Sequence, residues 1–405
     1  MSLQVLKFGG SSVATPEKMA FVAAKIKKFH QLGGRTVVVV SAMGDTTNRL
    51  LQLAKEFCTA SRHREIDQLV ATGEQQSTAL LAMALENLGL KAQSLSGPLV
   101  GIKGRGSYTD GRINGIDPRN ILEILEEGAI PVVAGFQAVN EKGDIITLGR
   151  GGSDLSAVAL AAALEAEKCC IFTDVAGIYT ADPRVVPNAR KLEKVSYGEC
   201  MEMSSMGAKV MQARSVELAA RYEVPVYVAS SFSDERGTWI VREDVRENFL
   251  VRAVASDTDV AKVALLGVPD VPGMAAKVFE ALSSGGVSAE MIIQSVMRGQ
   301  INDIAFLVKK ESLGDAIDIC RNISKEIKAQ GVAFDTEIGK VSIIGAGIAS
   351  HPEVPAKMFS ALAAEGINLD MISSTSMSIT CVVGAKDVDR ASRVLHKIFI
   401  EEAKS

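Results

Sequence analysis

The chain is poor in the residues that usually build metal centres and covalent frameworks. It has four histidines in 405 residues, and its six cysteines contain no CxxC pair. Cys169 and Cys170 are adjacent, whereas Cys58, Cys200, Cys320 and Cys381 stand alone. That set offers neither a metal-ligand spacing nor a disulfide framework. No protein-held metal is expected, and a reducing cytoplasm is the expected compartment. Scattered histidines also give no Ser/His/Asp triad. Charge of one sign is lacking too. Lys and Arg number 44 against 48 Asp and Glu, for a net charge of −4, with both signs interspersed. Nucleic acid and anionic membrane are therefore not expected as partners. No apolar run is long enough to span a bilayer, and strand-like residues open the chain, so no secretory leader is expected. The phosphate-loop pattern GxxxxGK[ST] does not occur. Gly345-Ala346-Gly347 matches the start of a dinucleotide fingerprint, but no third glycine follows.

What is present is core-forming sequence, 47% apolar, long enough for two or three domains. Apolar runs of strand length fall at Leu3–Phe8, Thr36–Ser41, Ile130–Ala134, Cys169–Thr173 and Pro225–Ala229. Helical stretches lie between them: one opening at Thr15-Pro16, with Met19, Val22, Ala23 and Ile26 in phase, then Ser153–Ala166 and Ala208–Tyr222. The alternation predicts an α/β fold, a parallel-rich sheet covered by helices on both faces. Ligands then gather beyond the carboxyl ends of the strands.

A polar turn at Ser233–Gly237 and a charge-dense stretch at Arg242–Asn248 mark the best boundary. Beyond it lies a repeat. PGMAAKVFEALSSGGVSAEMI (Pro272–Ile292) recurs as PEVPAKMFSALAAEGINLDMI (Pro352–Ile372), with nine of 21 positions identical at an offset of 80. Each copy follows one strand-like run and precedes a strand pair and a second helix. Two copies are too few for a solenoid, so two ferredoxin-like βαββαβ units are expected. The expected domains are residues 1–245, 246–335 and 336–405.

Four stretches of the first part carry chemistry. Lys7-Phe8-Gly9-Gly10-Ser11-Ser12 ends a strand in a glycine turn whose amides can face phosphate oxygens, with Lys7 across the same oxygens. Gly149-Arg150-Gly151-Gly152-Ser153-Asp154 places glycines ahead of a helix N-terminus, an anion site, with Arg150 able to fork onto a carboxylate or phosphate. Thr173-Asp174 begins a loop that runs past Tyr179 to Asp182 and Arg184, able to hold a base and ribose. Lys209 opens an expected helix, where the dipole disfavours a cation unless an anion is bound. Two lysines, an arginine and an aspartate around glycine turns suit phosphoryl transfer, which needs charge neutralisation and positioning.

KFGGSSV, VVVSAMGDTTN, GRGGSD, TDVAGIYTADPR and SMGAKV, in this order, resemble the aspartate kinases of the amino-acid kinase family. The match runs nearly end to end, because the repeated units resemble tandem ACT domains. The resemblance implies ATP- and Mg²⁺-dependent phosphorylation of the β-carboxylate of L-aspartate, the first step toward lysine, threonine and methionine. It implies that Lys7 and Lys209 contact ATP phosphates and that Asp154 organises the centre. Ser41, Thr47, Glu74, Phe136, Arg150 and Ser153 would line the aspartate site, Arg150 taking the α-carboxylate and Glu74 the α-ammonium. Gly9, Gly10, Ser11, Thr173, Asp174, Tyr179, Asp182 and Arg184 would surround the nucleotide. An amino-acid effector, lysine or threonine or both, would bind at Asp270, Pro272, Gly273, Gln294 and Asn368, in a homodimer or larger assembly joined through ACT units. Where many members read Ser-Thr-Ser-Glu-Ile, this chain reads Ser374-Thr375-Ser376-Met377-Ser378, which leaves the effector open. The residues alone also admit a non-catalytic amino-acid sensor on a kinase scaffold, or another carboxylate acceptor.

Overall fold

The structure, a computed structural model, describes residues 2–57, 63–208, 211–242, 251–295 and 299–402. The opening LQVLKF forms β1 (Leu3–Phe8), buried along its whole length. Thr15 caps α1 (Pro16–Gln31), its hydroxyl accepting from Lys18 N. Met19, Val22, Ala23 and Ile26 form the buried stripe of that helix. There follow β2 (Arg35–Val40), α2 (Thr46–Phe57), α3 (Arg64–Glu86), β3 (Ala92–Leu95), the hairpin β4 (Ile102–Ser107) and β5 (Asp110–Ile116), and α4 (Arg119–Glu126). β6 (Ile130–Ala134), β7 (Gln137–Val139), β8 (Ile145–Thr147), α5 (Gly152–Ala163) and β9 (Lys168–Thr173) come next. β10 (Lys194–Ser196), α6 (Tyr197–Ser205), α7 (Ala213–Arg221), β11 (Val226–Ser230) and β12 (Thr238–Val241) complete this part.

Among the described residues eight of these strands form one sheet, in the order β10-β12-β11-β9-β1-β2-β6-β3. Neighbours run parallel except β11 and β12. β1 lies between β2 and β9, so the chain leaves it in opposite directions on its two sides. Its carboxyl end is a topological switch point, where such sheets open a crevice. A smaller sheet, β5-β4-β7-β8, was not expected from the sequence. The helix expected over Ala208–Tyr222 begins only at Ala213, because Gln212 before it is extended and serves as its N-cap. The helix expected from Ser153 begins at Gly152, with Gly151 as its N-cap.

The chain divides into two compact units. The first holds the described residues within 1–179, 190–205 and 209–246, the second those within 180–189, 206–208 and 247–405. The second unit contains β13 (Ala253–Asp257), β14 (Val260–Pro269), α8 (Met274–Ser284), β15 (Glu290–Gln294), β16 (Ile301–Lys309), α9 (Leu313–Glu326) and β17 (Gly331–Asp335). It continues through β18 (Ile338–Ile344), α10 (Glu353–Ala364), β19 (Met371–Ser374), β20 (Ser378–Gly384) and α11 (Val388–His396). The first repeat is a complete βαββαβ sheet, β15-β16-β14-β17. The second sheet is β13-β18-β20-β19. Its fourth strand precedes the first repeat in the chain and is not the short terminal strand expected after α11.

The two repeats face each other reciprocally. Lys262 pairs with Asp370 at 2.5 Å and Lys340 with Glu290 at 2.7 Å, and Glu290 and Asp370 occupy the same position of the repeat. Ala181 and Val186 of the segment 180–189 join the core of the second sheet. Thr180 Oγ1 lies 2.8 Å from Nε2 of the buried His396. No described helix is long and apolar enough to cross a membrane.

Candidate active site

The switch point decides where Lys7 goes. It is the fifth residue of a fully buried strand, and its ammonium emerges at the crevice 2.5 Å from Asp154 Oδ1. Asp154 sits in the first turn of α5, where the helix dipole favours an anion. Both side chains are about one-tenth exposed, so solvent screens the pair only weakly. Gly9 lies under Lys7: a Cβ there would be 3.6 Å from Nζ. Gly10 is wedged against the next loop, its would-be Cβ only 2.7 Å from Ala42 O. Ser11 is exposed beside it, and Ser12 is buried with its Oγ 2.5 Å from Ser231 Oγ.

Arg150 is carried on an arch. Gly149 (φ +76°) and Gly151 (φ +71°) are left-handed, a conformation that costs glycine nothing. The arch delivers the chain into α5, buried from Gly152 to Ala161. Phe136 is left-handed as well (φ +71°), a strained state for a bulky side chain and one found at functional sites. Its N–H donates to Ser156 Oγ of α5 and its carbonyl accepts from Leu148 N, which holds it against the arch.

The opposite wall is α3. Gly73 lets this helix touch the loop after β2, since a Cβ would meet Ala42 Cβ at 2.8 Å. Glu74 follows at once. One carboxylate oxygen accepts from Ala42 N at 3.1 Å, and the other is buried without a hydrogen-bond partner. Burial pushes the carboxyl up to about 7.

These walls enclose a cavity of about 420 Å³. Lys7, Ser41, Thr47, Glu74, Phe136, Arg150 and Ser153 all line it, so the structure gathers every residue expected at the acceptor site. A buried acid with one unpartnered oxygen, an arginine and a lysine thus face one space, opposite charges set around a single cavity. Thr173 and the exposed Asp174 stand at the end of β9, where the Thr173 hydroxyl donates to Asp174, and Tyr179 bridges to Lys191. Asp182 and Arg184 fall in the segment that packs with the second unit, where they form a bidentate pair. Lys209 lies outside the described residues. In the first repeat Asp270, Pro272 and Gly273 form the exposed turn before α8, and Gln294 ends β15; Asn368 is exposed in the second. Beneath that turn Asn302 donates to Asp270 at 3.1 Å, and its buried amide oxygen has no partner.

Three side chains escaped the sequence reading because their partners are distant in sequence. Lys25 of α1 is buried and donates to the carbonyls of Ser230, Ser231 and Ser233; burial lowers its pKa. Ser231 N in turn donates to Thr173 O at 2.7 Å. Arg214 donates to the carbonyls of Leu148 and Gly111. Asp67 of α3 accepts from Thr109 and Thr147.

A parallel-rich sheet with glycine turns, a lysine and an arginine at its switch point, followed by paired ferredoxin-like sheets, defines the class of a small-molecule kinase with a regulatory half. The sequence model of the Amino acid kinase family matches residues 2–230, and that of the ACT domain matches residues 263–322 and 341–399. An aspartate kinase of Stutzerimonas stutzeri is 45% identical over 401 residues, covering 98% of this chain and 97% of that protein. The crystal structure of E. coli aspartokinase III in complex with aspartate and ADP superposes with a TM-score of 0.83 at 26% identity, covering 98% of this chain and 99% of that one. The same enzyme with lysine and aspartate gives a TM-score of 0.72 at 26% identity and the same coverage. The chain belongs to the aspartate kinases of the amino acid kinase family.

Proposed function

We propose that the cavity binds L-aspartate and that the chain transfers the γ-phosphoryl group of ATP to its β-carboxylate, giving 4-phospho-L-aspartate and ADP. The unpartnered oxygen of Glu74 carries this reading. A buried carboxyl is costly to ionise until a cation reaches it, and the α-ammonium of an amino acid supplies that cation. An N-acylated acceptor would leave the oxygen bare. Arg150 takes the α-carboxylate, and Ser41, Thr47, Phe136 and Ser153 close around the chain of the substrate. The β-carboxylate is then held in line with the γ-phosphorus, where one of its oxygens forms the new P–O bond as the bond to ADP breaks.

The protein contributes position and charge. Lys7, oriented by Asp154, and Lys209 neutralise the transferring oxygens. Gly9, Gly10 and Ser11 present backbone to the phosphates, while Thr173, Asp174 and Tyr179 surround the nucleoside. Mg²⁺ would come with the nucleotide as MgATP and supply charge neutralisation at its phosphates. Residues 1–245, apart from the segments 180–189 and 206–208 that group with the second unit, form the kinase half and 246–405 the regulatory half, and the chain works in the cytoplasm. A lysine or threonine effector docks at Asp270, Pro272, Gly273 and Gln294, with Asn368 contributed by the second repeat, in an assembly of at least two chains. The unpartnered Asn302 oxygen under that turn supports a polar ligand there.

The test is ATP-dependent aspartyl hydroxamate formation. L-Aspartate should be turned over and N-acetyl-L-aspartate should not. Lys7→Ala should abolish turnover with the fold retained, by circular dichroism. Near wild-type turnover in that variant refutes the phosphate role, and no turnover by the parent chain leaves the sensor reading standing.

A further inference from the structure

Asp67 is fully buried on α3, on the stripe that carries Val70 and Glu74 to the cavity. Its carboxylate accepts from Thr109 N (3.0 Å to each oxygen), from Thr147 N (2.8 Å) and from Thr147 Oγ1 (2.8 Å). Both threonines line the cavity, and they come from different pieces of chain. Thr109 is the tip of the β4–β5 hairpin, in a left-handed conformation (φ +67°). Its carbonyl abuts Gly149, whose would-be Cβ is 3.5 Å away. Thr147 ends β8, three residues before Arg150. One acid therefore grips the arch of Arg150 from the chain that leads into it and from the hairpin that leans on it.

We propose that Asp67 is a positioning residue for the acceptor site: it fixes the Gly149–Gly151 arch, and through it the guanidinium of Arg150, at the distance from Glu74 that an α-amino acid spans. This rests on the reading of the cavity as the aspartate site. The role requires a carboxylate. Three donors converge on two oxygens, whereas asparagine offers one oxygen and would turn an N–H₂ toward an N–H. Burial raises the Asp67 pKa, and the hydrogen bonds from Thr109 and Thr147 oppose that rise. Among the described residues the hydrogen bonds of Asp67 go to Thr109 and Thr147 and none to Lys7 or the Gly9–Ser11 turn, so its loss should be felt chiefly by the amino-acid substrate.

The experiment is steady-state kinetics on the full chain with L-aspartate and MgATP varied separately. Asp67→Asn should raise the KM for aspartate about ten- to hundredfold, with the KM for MgATP within about twofold. Thr147→Val, which keeps the shape and deletes one donor, should raise the aspartate KM about three- to tenfold, and Thr147→Ser should restore it. Arg150→Ala, measured alongside, reports on the cavity itself. If Arg150→Ala raises the aspartate KM while Asp67→Asn and Thr147→Val leave it unchanged, the positioning role is overturned and the site stands. If none of the three moves it, the reading of the cavity falls. Equal rises in both KM values also overturn the role. Where Asp67→Asn yields no folded enzyme, the contrast between Thr147→Val and Thr147→Ser decides in the same way.

Discussion

Glu74 links occupancy of the cavity to pH. Its carboxyl is raised from an ordinary 4.5 to about 7 because it is buried with one oxygen unpaired. The difference is about 2.5 units, so the ionised form costs the empty site about 3 kcal/mol. Between pH 4.5 and 7 the folded chain then holds a proton that the unfolded chain has released. Stability of the unliganded enzyme should therefore fall as pH rises through that window, with the full cost present above 7. An α-ammonium reverses the balance, because it favours the carboxylate. One unit below the pKa only about a tenth of sites are ionised, so kcat/KM for aspartate should rise about tenfold from pH 6 to pH 8, with its inflection near 7. Calorimetry at pH 6.5, in buffers of different ionisation enthalpy, should register the release of about three-quarters of a proton on binding. Glu74→Gln keeps an acceptor for Ala42 N. It should lose the pH limb, lower kcat/KM for aspartate about ten- to hundredfold, and stabilise the unliganded chain at pH 8 by about 1–3 kcal/mol. Aspartate binding independent of pH from 5.5 to 8, or an unchanged kcat/KM in Glu74→Gln, would refute the pairing.

Lys25→Met should strand three carbonyls at the end of β11. It should cost about 2–4 kcal/mol in denaturant unfolding and raise the KM for ATP severalfold, with that for aspartate unmoved; the reverse pattern would place Lys25 elsewhere in function. Calorimetric titration with lysine and threonine, singly and together, should show binding of at least one. Asp270→Ala should weaken that binding about tenfold or more, and failure of both ligands to bind refutes the regulatory reading.

The parallel sheet was legible because its strands are continuous apolar runs. β1 and β6 fall where the runs predict, and β2, β9 and β11 within a residue. Of the cavity lining, Lys7 and Arg150 were legible beside their glycine turns, whereas Ser41, Thr47, Glu74 and Phe136 were singled out only by likeness to a family. The sheet built on β4 and β5 was not legible. Glycine is a poor strand former, and IKGRGSYTDGRINGI reads as loop. Here Gly104 and Gly111 are needed for closeness, since a Cβ on either would meet Ile146 within 3 Å. Asp67, Lys25 and Arg214 were invisible for another reason. Their partners, most of them backbone groups, lie far along the chain, and no spacing within a motif encodes them. The helix expected from Ala208 starts at Ala213, and Lys209 itself lies outside the described residues.

The placement of β13 has a consequence for the order of synthesis. Ala253–Asp257 pairs with Lys340–Ile344, and the whole first ACT repeat lies between them. The ribosome therefore releases β13 long before its partner exists, and the first repeat can close its own four strands while that segment waits. Completing the second sheet then closes a long loop, the slow kind of contact. A gene fragment meant to yield the regulatory half alone must start upstream of Ala253. One that begins at β14 would leave β18 as a bare edge, open to any other strand.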